Sequence, residues 1–162
     1  MIHKERIIGR VKRVNGPVII AMGITDAMML ELVYVGEVRL VGEVIKLEGD
    51  NAVIQVYEDT TGIAPGDNIY GSAMSISVEL GPGLIGTIYD GIQRPLEDIY
   101  SISDQFIERG IRLPPLNREK KWHFVPHNIK PNTYLTQGQP IGTVQETISI
   151  PVSYTHLTLP TN

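Results

Sequence analysis

Short runs of alternating apolar and polar residues fill the first half of the chain. The runs at 30–35 and 37–40 alternate, and those at 43–47 and 52–57 flank a polar Glu-Gly-Asp-Asn loop that suits a hairpin. Further strand signal lies at 6–14, 18–21, 68–70 and 74–79. Because short strands at near-regular spacing are typical of small closed sheets, the pattern predicts an antiparallel β-barrel over residues 4–76.

The strand pattern breaks at the Gly-Pro-Gly sequence of residues 81–83. One more strand is predicted at 84–89. Pro95 and Gly110 then stand where a helix could begin and end, and apolar residues recur between them at roughly helical spacing. Short strands joined by Pro and Gly turns are predicted across 124–150. The expected fold class is therefore mainly β: a small antiparallel barrel, a short helical connector and a second β-rich lobe.

Composition and charge narrow the possible partners. Of the 162 residues, 42% are hydrophobic and 20% are charged, which is typical of a globular chain. Residues 1–80 carry 7 basic and 11 acidic groups, while residues 81–162 carry 7 of each. An acidic first half disfavours nucleic acid as a partner, because clustered Lys and Arg supply most of that affinity. Cysteine is absent, which excludes disulfides and thiolate metal sites, and no apolar run is long enough to predict membrane insertion.

Two sequence patterns suggest a ligand-binding site, but the residues around each one do not support the site. Residues 81–86 fit the dinucleotide pattern G-x-G-x-x-G, but a strand-like run and a turn follow where the pattern needs a helix N-terminus. His123 and His127 have a spacing that could place both on one metal ion in a helix. Pro126 lies between them and opposes that helix, and no nearby carboxylate or thiol completes the ligand set.

Other catalytic signatures are also missing from the sequence. Asp104 and Glu108 could share a helical face, but Arg109 adjoins them, and this arrangement favours a solvated charged surface. Neither the G-x-S-x-G elbow of hydrolases nor the phosphate loop G-x-x-x-x-G-K-[ST] occurs. We therefore expect no catalytic, cofactor-binding or metal-binding residues within these 162 residues.

Two non-enzymatic interpretations remain open on the residues alone. The apolar and turn rhythm of residues 129–144 is similar to the flattened β-sandwiches of lipoyl and biotinyl carriers, although no Met-Lys-Met or Asp-Lys-Ala tip is present. A nucleic-acid-binding barrel of the OB type would need a basic face bearing aromatic residues. Residues 1–80 offer only Tyr34, Tyr57 and Tyr70 against an acidic background.

Several longer runs of the chain together match the pattern of one family. Two of them lie at 8–18 and 58–66. Two more specific runs are Glu-Leu-Gly-Pro-Gly-Leu-Ile-Gly-Thr-Ile-Tyr-Asp-Gly-Ile-Gln-Arg-Pro-Leu at 79–96 and Pro-Pro-Leu-Asn-Arg-Glu-Lys-Lys-Trp-His-Phe at 114–124. Together these runs resemble the catalytic A subunit of V-type (archaeal or vacuolar-type) rotary ATPases and ATP synthases. The run at 114–124 is similar to an insertion that is present in that catalytic chain and missing from its non-catalytic partner. The run at 138–147 continues the resemblance, which covers about residues 4–150.

The resemblance implies a parent that couples ATP synthesis or hydrolysis to proton or sodium transport. ATP or ADP with Mg²⁺ would be bound by the parent, and no cofactor is expected in this N-terminal fragment. The implied partners are non-catalytic B subunits in an alternating ring, together with stator and central-stalk subunits. The implied location is peripheral, on the cytoplasmic side of the membrane. This fragment alone is not expected to be catalytic.

The resemblance also divides the chain into regions. Residues 4–76 would form the barrel, 77–109 the connector into a nucleotide-binding domain, and 110–151 the β-rich insertion, or bulge. The implied chain is truncated before the α/β nucleotide-binding domain. From residue 152 the sequence no longer looks like the family, so 152–162 is expected to be a non-native tail.

Overall fold

The structure, a computed structural model, describes residues 6–103, 107–136, 138–148 and 151–154. Within these ranges the chain forms nine strands and one helix, so the mainly β fold class is confirmed. The strands of the first half are β1 (Arg6–Asn15), β2 (Val18–Met22), β3 (Glu31–Val35), β4 (Leu40–Glu48), β5 (Asn51–Val56) and β6 (Asn68–Ser75). They are followed by α1 (Leu96–Ser103), β7 (Phe124–Pro126), β8 (Gly142–Gln145) and β9 (Pro151–Tyr154).

The described residues divide into two compact units. The barrel unit lies within Met1–Ser77 and Ser103–Arg112, and the second unit lies within Val78–Ile102 and Leu113–Asn162. The predicted domain boundaries are not the same as this division, because the segment after α1 belongs to the barrel unit. The boundaries themselves remain a prediction.

The barrel unit is a closed antiparallel barrel with the strand order β1-β2-β5-β4-β3-β6. The predicted Asn-Gly-Pro turn joins β1 to β2, with Asn15 opposite Val18. The predicted hairpin loop joins β4 to β5, with Glu48 opposite Asn51. Both predictions are confirmed, and closure leaves the six strands without a free edge.

The barrel core follows directly from the period-two alternation of its strands. In β3, for example, Glu31, Val33 and Val35 face inward and are fully buried, while Leu32 and Tyr34 are partly exposed. Burying each large apolar side chain stabilises the fold by about 1.5–3 kcal/mol. The core consists of Ile8, Val11, Ile19, Ala21, Val33, Val35, Leu40, Val44, Ala52, Ile54, Val56 and Ile69.

Two strand predictions in the first half were wrong in extent. Residues 36–39 form a turn and β4 begins at Leu40, because Gly36 and Arg39 both adopt positive φ, at 70° and 59°. The strand predicted at 74–79 ends at Ser75. In both runs the apolar residues Val38 and Val78 are exposed, because alternation of apolar and polar residues can also occur in turns and loops.

The second unit differs more from the prediction. The strand predicted at 84–89 is wrong: those residues form turns and a single bridge from Tyr89 to Pro95. Gly83 and Gly86 adopt φ values of 107° and 90°, which interrupt an extended backbone.

The helix predicted between Pro95 and Gly110 is shorter than expected. The helix α1 spans Leu96–Ser103, and residues 107–110 are not helical. Residues 104–106 lie outside the described residues.

The β-rich lobe contains a three-stranded antiparallel sheet in the order β7-β8-β9. Within the run predicted as strands at 124–150, the described residues form β7 and β8, and residues 127–136 and 138–141 between them form turns and loop. The strand β9 pairs with β8 and places Val152 opposite Val144, so the predicted start of the tail falls within a strand.

Candidate functional site

The glycine-rich loop at 81–86 is occupied by a side chain of the same unit. The backbone N–H of Gly83 donates a 2.8 Å hydrogen bond to the carboxylate of Glu146. The loop continues into turns, and the next helix, α1, begins only at Leu96. A phosphate-binding loop of the dinucleotide type offers its amides to the ligand at a helix N-terminus. This loop instead gives an amide to Glu146, so its geometry does not support a dinucleotide site.

Glu146 connects the glycine-rich loop to the small sheet. Its other carboxylate oxygen accepts a hydrogen bond from the hydroxyl of Tyr154 in β9. Burial and then this hydrogen bond raise the pKa of Tyr154 above its ordinary value, so the hydroxyl stays protonated and remains a donor. Glu146 therefore acts as a structural acceptor for two donors.

A second carboxylate, Asp90, organises the turn that leads into α1. Its Oδ1 accepts hydrogen bonds from the N–H groups of Ile92 and Arg94 at 3.1 and 2.8 Å, and its Oδ2 accepts one from Arg94 Nε at 2.7 Å. Partial burial alone would raise the pKa of Asp90, but these hydrogen bonds outweigh burial and lower it. The turn is therefore closed by an ionised carboxylate.

Beside this turn the second unit has a cavity of about 200 Å³ with a mixed lining. Lys120 lies over the ring of Trp122, with its ammonium 4.0 Å from the ring centroid. The hydroxyl of Tyr89, another lining residue, donates a 2.8 Å hydrogen bond to the carbonyl of Pro115. Other residues that line the cavity are Pro82, Pro95, Asp98 and Asn117. The cavity combines proline and aromatic surfaces with charges of both signs.

Residues 118–121, Arg-Glu-Lys-Lys, form a charged loop that is exposed in the structure. The side-chain oxygen of Asn117 caps it by accepting hydrogen bonds from the N–H groups of Glu119 and Lys120, at 2.9 and 3.1 Å. Arg118 pairs with Glu79 at the surface. The loop therefore holds a defined conformation while its charged side chains remain accessible to solvent.

The structure does not assemble the other chemistry-bearing patterns into a site. His123 and His127 are exposed and flank the extended strand β7, so they share no helical face. Glu108 is exposed beyond the end of α1, and Asp104 lies outside the described residues. Across residues 6–103, 107–136, 138–148 and 151–154, no three His, Asp or Glu side chains are grouped as metal ligands would be. In the same ranges, no helix is long and apolar enough to cross a membrane.

Sequence reasoning missed a buried carboxylate in the barrel. Glu31 is fully buried and accepts 2.8 Å hydrogen bonds from the N–H groups of Met28 and Ala73. The guanidinium of Arg6 lies 4.0 Å from it. The signal was present, because the alternation of β3 places Glu31 on the same face as Val33 and Val35.

Two family models match the chain. One matches residues of the barrel unit, and the other matches residues of the second unit. The beta-barrel domain of the ATP synthase alpha/beta family matches residues 11–72, which contain β2 to β5, the second half of β1 and most of β6. The barrel-sandwich domain of the ATP synthase alpha/beta subunits matches residues 113–158, past the predicted start of the tail at 152. The chain belongs to the ATP synthase alpha/beta family.

Within this family, the chain is similar to the A subunits of A-type ATP synthases. The A subunit of the A-type ATP synthase of Metallosphaera sedula is 56% identical over 140 residues, which are 86% of this chain and 24% of that protein. The proteins of the same name from Desulfurococcus sp. and Thermococcus kodakarensis are each 53% identical over 139 residues, with the same coverage. The resemblance to the catalytic A subunit is confirmed. The chain spans 24% of the length of each of these three relatives.

Proposed function

We propose that this chain is the N-terminal part of the catalytic A subunit of a V-type rotary ATP synthase or ATPase. The observation that carries the proposal is a closed barrel and a β-rich lobe, each matched by a domain of the ATP synthase alpha/beta family. The parent couples ATP synthesis or hydrolysis to proton or sodium transport. ATP and Mg²⁺ are bound by parts of the parent that these 162 residues do not include, since the sequence has no phosphate loop.

The barrel contributes to assembly of an alternating ring with non-catalytic B subunits. A closed sheet suits this task because it has no free edge that could pair with the wrong strand. Its wholly buried apolar core gives a rigid body that can pass torque without deforming. The parent is peripheral, on the cytoplasmic side of the membrane.

The second unit contributes the bulge and offers the charged loop 118–121 to a neighbouring subunit or a stator subunit. Support comes from the exposure of this loop together with the Asn117 cap, which fixes its backbone before a partner arrives. A preorganised loop loses less conformational entropy on binding than a mobile one.

The proposal is tested by mixing the purified chain with a non-catalytic B subunit of an A-type ATP synthase and recording native mass spectra. We expect a one-to-one complex with the wild-type chain. A matched variant with Ile54→Ala, which weakens the barrel core, should show less complex at elevated temperature. Absence of any complex with a folded chain would contradict the proposed assembly role.

The two alternatives predict different signals on the same sample. An OB-type nucleic-acid barrel would shift single-stranded DNA in a gel, and the shift would weaken as salt is added. A carrier module would show a lipoyl or biotinyl adduct in its intact mass. We expect neither signal.

A further inference from the structure

The segment 107–112 follows α1 in the sequence but belongs to the barrel unit. On both sides it continues into segments of the second unit, 78–102 before it and 113 onward after it. Nothing in the hydrophobic pattern indicates this attachment, since none of the six residues belongs to the barrel's buried apolar core. Three contacts of this segment with the barrel are polar or aromatic.

The first contact is made by Arg109. Its guanidinium donates hydrogen bonds to the backbone carbonyls of Asp59 and Thr61, in the loop after β5. That loop is itself fixed, because the carboxylate of Asp59 accepts hydrogen bonds from the N–H and hydroxyl of Thr61 at 3.0 and 2.8 Å. The N–H bond of Thr61 and then its hydroxyl bond lower the pKa of Asp59, so the carboxylate is ionised and acts as an acceptor at neutral pH.

The second contact is the close approach of Gly110 to the barrel backbone. Its N–H points at the carboxylate of Glu58, at 3.3 and 3.4 Å from the two oxygens. A Cβ at this position would lie closer than 3.0 Å to the carbonyl oxygen of Val38. Gly110 also has φ +72°, which residues with a side chain adopt only at a cost. Two independent constraints therefore require glycine here.

The third contact is made by Arg112. Its guanidinium carbon lies 3.6 Å from the centroid of the Tyr34 ring in β3. The cation is attracted to the negative face of the ring, so this stacking holds Arg112 against β3. Together the three contacts attach the segment to the β3–β4 turn, to β3 and to the loop after β5.

We propose that residues 107–112 form a releasable clasp on the barrel, with Gly110 as the contact that decides whether it closes. The clasp opens in a local transition that leaves the barrel folded, because its contacts lie at the surface and bury no core side chain. Segments held this way open at a lower free energy than the strands beneath them. The inference depends on the barrel's own contacts and is independent of the proposed function.

Limited trypsin digestion tests the clasp with sites that the chain already carries. Trypsin can cut after Arg109 or Arg112 only when the segment 107–112 is released from the barrel. Lys120 and Lys121 lie in an exposed loop, so cutting after them needs no such release. In the wild-type chain we expect cutting after Lys120 and Lys121 to be at least about tenfold faster than after Arg109, because cleavage follows the open population. In Gly110→Ala, cutting after Arg109 and Arg112 should rise by about tenfold or more, for the same reason.

The matched control is Gly49→Ala in the β4–β5 hairpin. Gly49 also has positive φ, at 56°, but a Cβ there would meet nothing within 4 Å. This variant should change overall stability slightly and leave cutting after Arg109 and Arg112 unchanged. Hydrogen exchange of the β2, β4 and β5 amides should be unaltered in Gly110→Ala, which shows that the barrel stays folded.

Three results would overturn the proposal. One is wild-type cutting after Arg109 as fast as after Lys120. Another is no change in Gly110→Ala, and the third is loss of barrel protection together with the clasp. If Gly110→Ala does not fold, Arg112→Ala removes the stacking on Tyr34 without a clash. Faster exchange of the Gly110 and Ile111 amides, with barrel exchange unchanged, is then the supporting result, and equal exchange contradicts the clasp.

Discussion

The two units of this chain are stabilised by different interactions. The barrel unit buries twelve apolar residues in one cluster, nine of them with no measurable exposure. In the second unit, among the described residues, the buried hydrophobic side chains are only Ile99, Leu116, Ile141 and Val144. That unit leaves Val78, Leu80 and Ile88 exposed at 63%, 77% and 63%. Its turns and loops are instead fixed by carboxylates, chiefly Asp90 and Glu146.

This difference indicates where each unit is vulnerable. A barrel held by burial loses stability when core volume is removed, since the cavity left behind adds to the lost burial. A unit held by carboxylate hydrogen bonds loses stability when an acceptor is removed or protonated, because buried donors are then left without partners. The following predictions test this contrast, starting with the largest expected effect.

Removing core volume from the barrel should have the largest effect. Ile54→Ala deletes most of a side chain that is fully buried, and it should lower the free energy of unfolding by about 3 kcal/mol. Ile88→Ala in the second unit is the matched control, since Ile88 is 63% exposed, and should cost less than about 0.5 kcal/mol. Urea unfolding followed by circular dichroism measures both. Equal losses would refute the contrast.

The barrel has one carboxylate that should behave like those of the second unit. Glu31→Ala leaves the N–H groups of Met28 and Ala73 without their acceptor in a fully buried position, so we expect a loss of about 3 kcal/mol. Glu48→Ala is the control, because Glu48 is exposed and pairs with Lys46 at the surface. It should change stability by less than about 1 kcal/mol. Similar values for the two variants, by the same urea measurement, would contradict the account of Glu31.

Loss of Glu146 should affect the second unit alone. Glu146→Ala removes the acceptor for Gly83 N–H and Tyr154 hydroxyl, which should destabilise the region by about 1–3 kcal/mol. Hydrogen exchange should accelerate at residues 81–86 and in β8 and β9, while the barrel amides keep their protection. Glu119→Ala, at an exposed position of the charged loop, should leave both patterns as they are. Faster exchange in the barrel of Glu146→Ala would count against separate stabilisation.

The smallest expected effect concerns the pH dependence of the Asp90 turn. Because the pKa of Asp90 is lowered in the folded chain from its ordinary 3.8, its contribution is fully present above that value. It is lost as the pH falls through the lowered folded value. Asp90→Asn should therefore lower the stability of this turn by about 1–2 kcal/mol at pH 7, since the charged acceptor is lost.

The loss of stability caused by Asp90→Asn should shrink toward zero in acid, when Asp90 in the wild-type chain is protonated. The measurement is hydrogen exchange of the Ile92 and Arg94 amides in the wild-type chain and in Asp90→Asn. It is made at neutral pH and at a pH below the pKa of Asp90 in the folded chain. Asp98→Asn, a neighbouring acid on α1, is the control. A cost that stays constant with pH would show that the charge of Asp90 is not what closes the turn.

The sequence predicted the barrel better than the second unit for a physical reason. Period-two alternation is a local signal, and the run predicted at 30–35 does form the strand β3, with alternating burial along Glu31–Val35. The strand expected at 84–89 failed because Gly83 and Gly86 adopt positive φ, which apolar spacing does not reveal. The role of Glu146 could not be predicted, since its partner Gly83 lies 63 positions earlier in the sequence.

The absence of a phosphate loop, by contrast, could be read directly from the residues. The attachment of 107–112 to the barrel could not, because it depends on Arg109, Gly110 and Arg112 meeting backbone and ring atoms of distant strands. Glu31 lies between these cases. Its burial was visible in the alternation, but the donors that satisfy it became visible only in the fold.

The most direct test of the whole account is calorimetric titration of the purified, folded chain with Mg²⁺-ATP and Mg²⁺-ADP. Circular dichroism of the same sample establishes that the barrel is intact. Because we propose that the chain supplies assembly surfaces and holds no nucleotide site, we expect no saturable heat at millimolar nucleotide. Saturable binding with a micromolar Kd would contradict it.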